Sequence, residues 1–319
     1  MRAISRREFL KATGTASLAC AFGPTAFGAA AAFKVGVISD EISDDFDHAC
    51  SVIANDFVLH WVELRAMWGK NLQQSSDAEL AKAEEIIRKY GLQVTDIASP
   101  LFKVNWPGAP VSRYGSAADL HGATDVEYNK QDEVLERSIG LAKRFKTNKV
   151  RCFDFWRLDD VKPYRAAINE RLGQAANVAA RQQVLLVLEN EFECNTATGR
   201  EAGATLSGIP NSNLALNWDP GNAVMRGELD AFPNGWNAIP KGRLHHCHVK
   251  NAIKDKTGTM AWAPVDQGYV DWAAQFRALK SIGYSDGVSL ETHWRGAGTP
   301  EASTRVSWEG MKRRLQEAG

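Results

Sequence analysis

The chain has 319 residues, of which 44% are hydrophobic, and it carries 38 acidic and 38 basic side chains. This length and hydrophobic content allow a full core, and a single α/β barrel of roughly 250 residues would use nearly all of the chain. A formal charge of zero lacks the electrostatic footprint of a nucleic-acid-binding protein. The composition therefore favours a single globular domain.

Residues 1–31 have the composition of a twin-arginine export signal. Arg6 and Arg7 precede a mildly apolar stretch rich in Ala and Gly, and small residues follow at positions 29–32. The stretch is too weakly apolar and too interrupted for a stable membrane span. We expect cleavage near Ala31 and a periplasmic or extracellular location. The alternatives to an export signal of this kind are an ordinary N-terminal helix and a lipid anchor at Cys20.

Removal of this segment makes the chain weakly acidic. Residues 1–31 contain four basic residues and one acidic residue, so the remainder has a formal charge of about −3. We expect residues 32–319 to form one domain. The four cysteines of that domain follow no zinc-binding or CxxC spacing.

Eight β-rich runs alternate with longer helical stretches after residue 32. The candidate strands begin at Phe33, Trp61 and Leu92 and continue with the runs NKVRCFDFWR, VLLVLE, LALNWD, RLHHCHVKN and GVSLETHW. Helices are predicted at residues 77–90, 130–145, 162–183, 200–206 and 269–284, and loops at residues 100–128 and 251–268. Parallel strands need crossovers of this length. The pattern predicts an α/β fold, a single (β/α)8 TIM barrel.

Four of the predicted strands end in residues that bind hard divalent metals. These are Glu189, Asp219, His248 and Glu291, separated by 30, 29 and 43 residues. A TIM barrel brings the C-terminal ends of its strands to one common mouth. Each residue taken alone is explained as well by a salt bridge, a turn or a core histidine. Together they indicate one metal site.

Strand alternation extends this prediction. If His248 points into the barrel, His246 and Lys250 point inward as well, and an inward Glu291 carries His293 with it. Three carboxylates and one imidazole favour one divalent ion, Mn²⁺ or Mg²⁺ first, with Zn²⁺ and Co²⁺ as alternatives. Such an ion would leave positions for substrate oxygens or water.

Several runs resemble the xylose-isomerase-like barrel superfamily, which includes sugar (phosphate) isomerases and epimerases and endonuclease-IV-type enzymes. These runs are LENE, NWDPGN, HCHVKN, WAPVDQGYVDW and VSLETHW. The resemblance implies that Glu189, Asp219, His248 and Glu291 bind the metal. It also implies that the two glutamates are catalytic and exchange protons with the carbon beside the carbonyl of a sugar.

Six further residues are predicted to bind the substrate, which we expect to be a small carbohydrate: His246, Lys250, Glu63, Asp154, Trp106 and Arg295. Packing for Trp106 and a plain surface role for Arg295 remain open. The 10 Trp residues weakly favour a carbohydrate ligand. No nucleic-acid partner is expected, and an oligomer is compatible with the sequence.

The leading hypothesis is a metal-dependent sugar isomerase or epimerase. The same proton abstraction could end in β-elimination, as in a lyase acting on a 3-keto glycoside. An endonuclease-IV-like phosphodiesterase would need a histidine-rich zinc cluster, whereas the chain has 7 His. A non-catalytic sugar-binding barrel is the alternative outside the enzymes.

Overall fold

Eight parallel strands close into a barrel in the computed structural model, which describes residues 33–114 and 127–319. The strands are β1 (Lys34–Ile38), β2 (Trp61–Leu64), β3 (Gln93–Leu101), β4 (Lys149–Cys152), β5 (Leu185–Glu189), β6 (Leu214–Trp218), β7 (Leu244–Val249) and β8 (Gly287–Leu290). Each strand pairs with its neighbours in chain order, and β8 closes the ring against β1. The predicted TIM barrel is confirmed.

Helices surround the barrel. They are α1 (Phe46–Ser51), α2 (Asp77–Lys89), α3 (Gln131–Arg144), α4 (Arg165–Arg181), α5 (Gly199–Ser207), α6 (Pro220–Met225), α7 (Trp272–Ser281) and α8 (Pro300–Glu317). Shorter turns are Ser39–Glu41, Val52–Asp56, Leu72–Gln74, Tyr128–Lys130, Ala231–Gly235, Trp236–Ala238 and Lys241–Arg243. None of the described helices combines the length and hydrophobicity of a membrane span.

Local sequence signals explain where α2 begins and ends. Ser76 and Glu79 form a reciprocal capping box, in which each side chain accepts a hydrogen bond from the backbone N–H of the other residue. At the other end Gly91 has a φ of 63°, a left-handed conformation that glycine adopts without steric strain. The structure thus places the helix within one residue of the predicted bounds.

The structure adds elements that the sequence patterns did not predict. Residues 251–268 contain an antiparallel hairpin, Asn251–Lys254 paired with Met260–Ala263. The carboxylate of Asp255 stabilises its turn by accepting hydrogen bonds from the backbone N–H groups of Thr257 and Thr259. Helix α8 follows the eighth strand, where no element was predicted, and a second small hairpin joins Ala66–Met67 to Lys70–Asn71.

Strand β7 separates a polar interior from an apolar exterior. Its residues Cys247 and Val249 belong to the hydrophobic core, whereas the alternate residues His246 and His248 contact carboxylates inside the barrel. Cys50, Cys152, Cys194 and Cys247 are all buried free thiols. The predicted export signal and residues 115–126 lie outside the described residues.

Candidate functional site

Glu189, Asp219, His248 and Glu291 converge at the mouth of the barrel. One ligand atom of each lies within 4.8 Å of those of the other three, and all four residues are buried. We call these four residues the cage. Glu189 ends β5 and His248 lies near the end of β7, whereas Asp219 and Glu291 directly follow β6 and β8. Strand ends far apart in sequence therefore meet as predicted.

The Nδ1 atom of His248 faces the three carboxylates of the cage. It lies 3.2 Å from Glu189 Oε1, 3.1 Å from Glu291 Oε2 and 3.7 Å from Asp219 Oδ2. Burial opposes a charge on the imidazole, but the surrounding carboxylates outweigh burial and raise the pKa of His248 well above its usual value. A protonated imidazole offsets part of the negative charge of these carboxylates.

Basic and amide groups hold Glu189 in place. Arg151 donates to Oε2 from 3.1 Å, and the side chain of Asn222 donates to Oε1 from 3.0 Å. Burial would raise the pKa of Glu189, but the positive charges of His248 and Arg151 lower it to about 2. Glu189 is therefore a carboxylate at neutral pH.

Glu291 is bound by more cationic groups than Glu189. Arg65 donates to Oε1 and Lys250 to Oε2, each from 2.5 Å, and His293 Nε2 lies 3.1 Å from Oε1. Burial again opposes ionisation, yet Lys250, His293 and His248 hold the pKa of Glu291 well below its usual value. Both glutamates of the cage are therefore ionised and fixed from several sides.

Asp219 has one oxygen turned to the backbone and one to the cage. Its Oδ1 caps α6 by accepting a hydrogen bond from Asn222 N at 2.9 Å. Its buried Oδ2 makes no hydrogen bond, although Lys250 Nζ lies 2.9 Å away. Burial raises the pKa of Asp219, and Lys250 opposes that rise.

The cage fits a divalent cation. Asp219 Oδ2 makes no hydrogen bond and has the Lys250 ammonium as a cationic neighbour, so this buried oxygen can still accept a bond from an ion. Three carboxylates and one imidazole are also the donor set of a hard or borderline ion with room for further oxygen ligands. The residues present thus agree with the predicted cofactor class.

Of the predicted substrate-binding residues, Lys250 contacts the cage directly and Arg295 is linked to it indirectly. Lys250 is fully buried against Asp219 and Glu291, and its Nζ lies 5.2 Å from the ring centroid of Trp262. Arg295 has a 41% exposed side chain and pairs with Glu41 Oε2 at 2.9 Å. Glu41 in turn lies 2.6 Å from Arg65, so Arg295 connects to the cage through two intermediate residues.

Asp154 and Trp106 make contacts with residues outside the cage. The buried carboxylate of Asp154 accepts hydrogen bonds from Thr196 and is paired with Arg165 at 2.7 Å. Trp106 packs edge-to-face on Phe155, with ring centroids 4.7 Å apart. These contacts are typical of packing and loop anchoring, and substrate binding by either residue stays a prediction.

Glu63 and His246 lie inside the barrel, one layer below the cage. Both are 0% exposed, and Glu63 Oε2 lies 2.8 Å from His246 Nε2. Burial would raise the pKa of Glu63, but His248 and His246 hold it well below its usual value. The two side chains bond to each other inside the barrel, and substrate binding by either residue stays a prediction.

Some site residues were not singled out from the sequence. Arg65 and Arg151 bind the two glutamates of the cage, and Trp262 packs edge-to-face on His293 at 5.1 Å. A signal for Arg65 was present, because it lies two positions after Glu63 and shares its inward side of the extended chain. Glu41 lies in a short turn after β1, where no periodicity marks an inward side chain.

The family model described as "Xylose isomerase-like TIM barrel" matches residues 56–314, which include every residue of the cage. The chain belongs to this family. No curated protein sequence matches this xylose isomerase-like barrel. The family match confirms the superfamily resemblance noted from the strand-end motifs.

Solved structures similar to this xylose isomerase-like barrel include a probable dehydratase, an epimerase and a protein with a bound zinc atom. The probable 3-DHS dehydratase AsbF from Bacillus anthracis has 19% identity and a TM-score of 0.63, covering 88% of this chain and 98% of its own. A D-allulose 3-epimerase from Methylomonas sp. has 17% identity and a TM-score of 0.62, covering 89% and 98%. The IOLI protein, solved with a zinc atom, has 15% identity and a TM-score of 0.66, covering 90% and 99%. Likeness at this level of identity shows the fold alone.

Proposed function

We propose that the protein is a divalent-metal-dependent isomerase or epimerase that moves a proton on the carbon beside the carbonyl of a sugar or keto-sugar. The observation that carries this proposal is the cage. Two ionised glutamates from β5 and the end of β8 meet there with Asp219 and His248. The epimerase among the similar structures supports a carbohydrate substrate.

Glu189, Asp219, His248 and Glu291 would hold one ion, Mn²⁺ or Mg²⁺ first, with Zn²⁺ and Co²⁺ as alternatives. When bound, the ion would supply electrostatic stabilisation to the negative oxygen that develops as the proton leaves. The hydrogen bonds from Arg151 and Asn222 to Glu189 keep that carboxylate oriented before substrate arrives. This preorganisation is what acid–base catalysis requires of a base.

The two glutamates divide the proton transfers. A glutamate carboxylate takes the proton from the carbon beside the carbonyl. Return of that proton to the former carbonyl carbon by the same group, with transfer of the hydroxyl proton of the first carbon to the former carbonyl oxygen, gives aldose–ketose isomerisation. Epimerisation would follow if the other glutamate, ionised in the free protein, took up a proton from solvent in the substrate complex and donated it to the opposite face. Lys250 and Arg295 would donate hydrogen bonds to polar oxygens of the sugar, at the mouth of the barrel.

Elimination is the second candidate reaction, and the likeness to a probable dehydratase favours it. The same glutamate would take the proton beside the carbonyl of a 3-keto glycoside. The electron pair of the broken C–H bond would then form a C=C bond, and the bond to the β-oxygen would break. A protonated group would supply the proton that the leaving oxygen needs.

Deuterium incorporation tests the proposal. Metal-loaded protein is incubated with a panel of keto-sugars in D₂O, and exchange is followed by NMR. Exchange at a single carbon of one sugar supports the proposal and names the reacting position. New alkene signals would instead support elimination. In a separate assay, cleavage of an abasic oligonucleotide would support the phosphodiesterase. Metal and sugar binding without exchange in any sugar would support a binding protein.

Export is a separate proposal that rests on residues 1–31. We propose that Arg6 and Arg7 direct the chain to the twin-arginine pathway, which carries folded proteins. The test is cell fractionation of the wild type and of the double variant Arg6→Lys, Arg7→Lys. Accumulation of the uncleaved variant in the cytoplasm is expected. Equal export of both forms would overturn the proposal.

A further inference from the structure

Glu63 reaches across the barrel interior to two imidazoles of β7. Its Oε2 lies 2.8 Å from His246 Nε2 and its Oε1 lies 3.0 Å from His248 Nε2. All three side chains have 0% exposure. Strands β2 and β7 are not neighbours, because β1 and β8 lie between them in the ring. The contacts therefore depend on side chains that meet inside the barrel.

An ionised carboxylate only accepts hydrogen bonds. Each Nε2 atom that faces Glu63 must then carry a proton and donate it. A metal ion displaces the proton from the nitrogen that it binds, so a metal-bound imidazole has a single N–H. With that proton on Nε2, the lone pair of His248 lies on Nδ1. Nδ1 is the atom that faces the three carboxylates of the cage, at 3.1–3.7 Å.

We propose that Glu63 is a positioning residue that fixes the tautomer and ring orientation of His248, so that Nδ1 is its metal-binding atom. This inference rests on the metal site of the proposed function. Histidine ligands of metals generally donate their second N–H to a carboxylate or carbonyl, and loss of that partner weakens metal binding. Glu63 thus acts through His248, by binding its Nε2 atom, and does not contact the substrate.

His246 holds the second oxygen of the same carboxylate. Its ring lies perpendicular to that of His248, with centroids 5.3 Å apart. On the neighbouring strand, a Cβ added to Gly287 would lie 2.6 Å from the His246 ring, so the absence of a side chain there makes room for the imidazole. With both oxygens occupied, the carboxylate cannot rotate without losing a buried hydrogen bond.

Asn217 gives His248 a further polar neighbour. Its side-chain amide lies 3.1 Å from His248 Nε2, and its Oδ1 has no hydrogen-bond partner among the described residues. Turning the amide by half a rotation brings Oδ1 to face the imidazole. Asn217 is then a second acceptor for the Nε2 proton, which favours the same tautomer.

The first test reads the tautomer directly. Full-length protein labelled with ¹⁵N-histidine is loaded with Zn²⁺, and long-range ¹H–¹⁵N spectra identify the protonated nitrogen of each ring. We expect His248 to carry its proton on Nε2, with Nδ1 bound to Zn²⁺. Ligation through Nε2, with the proton on Nδ1, would overturn the inference. This measurement needs no variant.

The second test uses Co²⁺ as the probe of the site, because its visible spectrum reports coordination. Calorimetric titration of the wild type should give one Co²⁺ per chain. Glu63→Gln presents an N–H₂ group to one imidazole, and we expect its Co²⁺ affinity to fall about 10–100-fold with an altered spectrum. The matched control is Glu228→Gln, since Glu228 is a buried carboxyl that accepts hydrogen bonds from Gly199 N and Arg200 and contacts no residue of the cage. That variant should keep the wild-type Co²⁺ affinity within about twofold and the wild-type spectrum.

Two titration results would overturn the inference. One is a Glu63→Gln protein with wild-type affinity and spectrum. The other is a wild type that binds two Co²⁺ ions and a variant that binds one, because Glu63, His246 and His248 would then hold a second ion. The proposed reaction fails separately, if the wild type binds Co²⁺ with the expected tautomer but exchanges no deuterium into any sugar.

Discussion

Lys250 Nζ lies 2.9 Å from Asp219 Oδ2, and neither side chain is exposed to solvent. The same ammonium group lies 2.5 Å from Glu291 Oε2. Burial would lower the pKa of Lys250, but Asp219, Glu291 and Glu189 raise it instead, so the group is a permanent cation. Lys250 thus neutralises part of a carboxylate cluster that would otherwise repel itself.

Lys250→Met should destabilise the metal-free protein strongly. Removing one partner of a buried ion pair typically costs about 3–5 kcal/mol, because the remaining charge is left uncompensated. Added Mn²⁺ should recover much of this loss by supplying the missing positive charge. Thermal unfolding with and without Mn²⁺ measures both effects. Lys312→Met is the control, since its pair with Glu309 is on the surface, and we expect a change within about 0.5 kcal/mol. Equal losses for the two variants would contradict the prediction.

Glu291→Gln should reduce deuterium exchange into the substrate by about 10²–10⁴-fold. The amide keeps the shape of the side chain but cannot take or give the proton. Circular dichroism should show that the fold is retained. Glu309→Gln removes an exposed carboxylate from α8 and should leave exchange unchanged. Wild-type exchange in the Glu291 variant would remove this residue from the proposed mechanism.

Metal removal should lower the stability of the wild type. An ion present at 100 times its dissociation constant adds about 2.7 kcal/mol, which corresponds to roughly 5–10 °C in Tm for a domain of this size. Asp219→Asn should lose most of this gain, because an amide replaces the charged ligand. Asn also caps helices well, so α6 should persist. Calorimetry measures the Tm of chelator-treated and Mn²⁺-loaded samples of both proteins. The same Tm shift in wild type and variant would exclude Asp219 as a ligand.

Asp286 should account for part of the acid sensitivity of the fold. Its carboxylate lies 2.8 Å from Lys149 Nζ and 2.9 Å from His245 Nδ1 at the opposite end of the barrel. Burial would raise the pKa of Asp286, but the hydrogen bonds from His245 and Lys149 lower it well below its usual value. A lowered pKa in the folded state stabilises the protein above the unfolded pKa of about 4 and loses that contribution as the pH falls below it.

Asp286→Asn should therefore reduce the free energy of unfolding by about 1–3 kcal/mol at pH 7 and by much less near pH 2. Urea unfolding at several pH values measures the difference between wild type and variant. Asp159 offers a comparison, because it is 87% exposed and pairs with an exposed Arg113. Asp159→Asn should leave the pH dependence unchanged. A constant difference between wild type and Asp286→Asn at all pH values would show that the ionised form is not responsible.

The cage could be predicted from the sequence because its geometry follows from strand order and alternation. Glu189, Asp219 and Glu291 end hydrophobic runs, and parallel strands of a closed barrel bring such ends together. The cationic residues that bind them, Arg65 and Arg151, follow the same alternation. They were not predicted because neither lies at the end of a hydrophobic run. The role of Glu63 depends on two imidazoles that approach it from across the barrel, which no local pattern reports.

The elements outside the barrel were harder to predict. The hairpin that carries Trp262 is short and polar, and only its turn at Asp255 and Gly258 has a recognisable signal. The extent of the fourth strand was overestimated, because the apolar residues after Cys152 pack as a loop with Phe155 in a left-handed conformation. Tertiary packing determines such segments more than their own periodicity does.

The register of β7 against β8 decides whether the polar side chains of β7 face the barrel interior, and it decides this for all of them together. His246 lies opposite Gly287 and His248 opposite Ser289. Sliding β7 by a single residue would turn both imidazoles and Lys250 towards the helices and fill the interior with Cys247 and Val249. Misfolded forms with a shifted strand would thus lose the imidazole ligand, the buried ammonium and the support of Glu63 at once, so metal uptake by a freshly folded chain would report correct strand alignment.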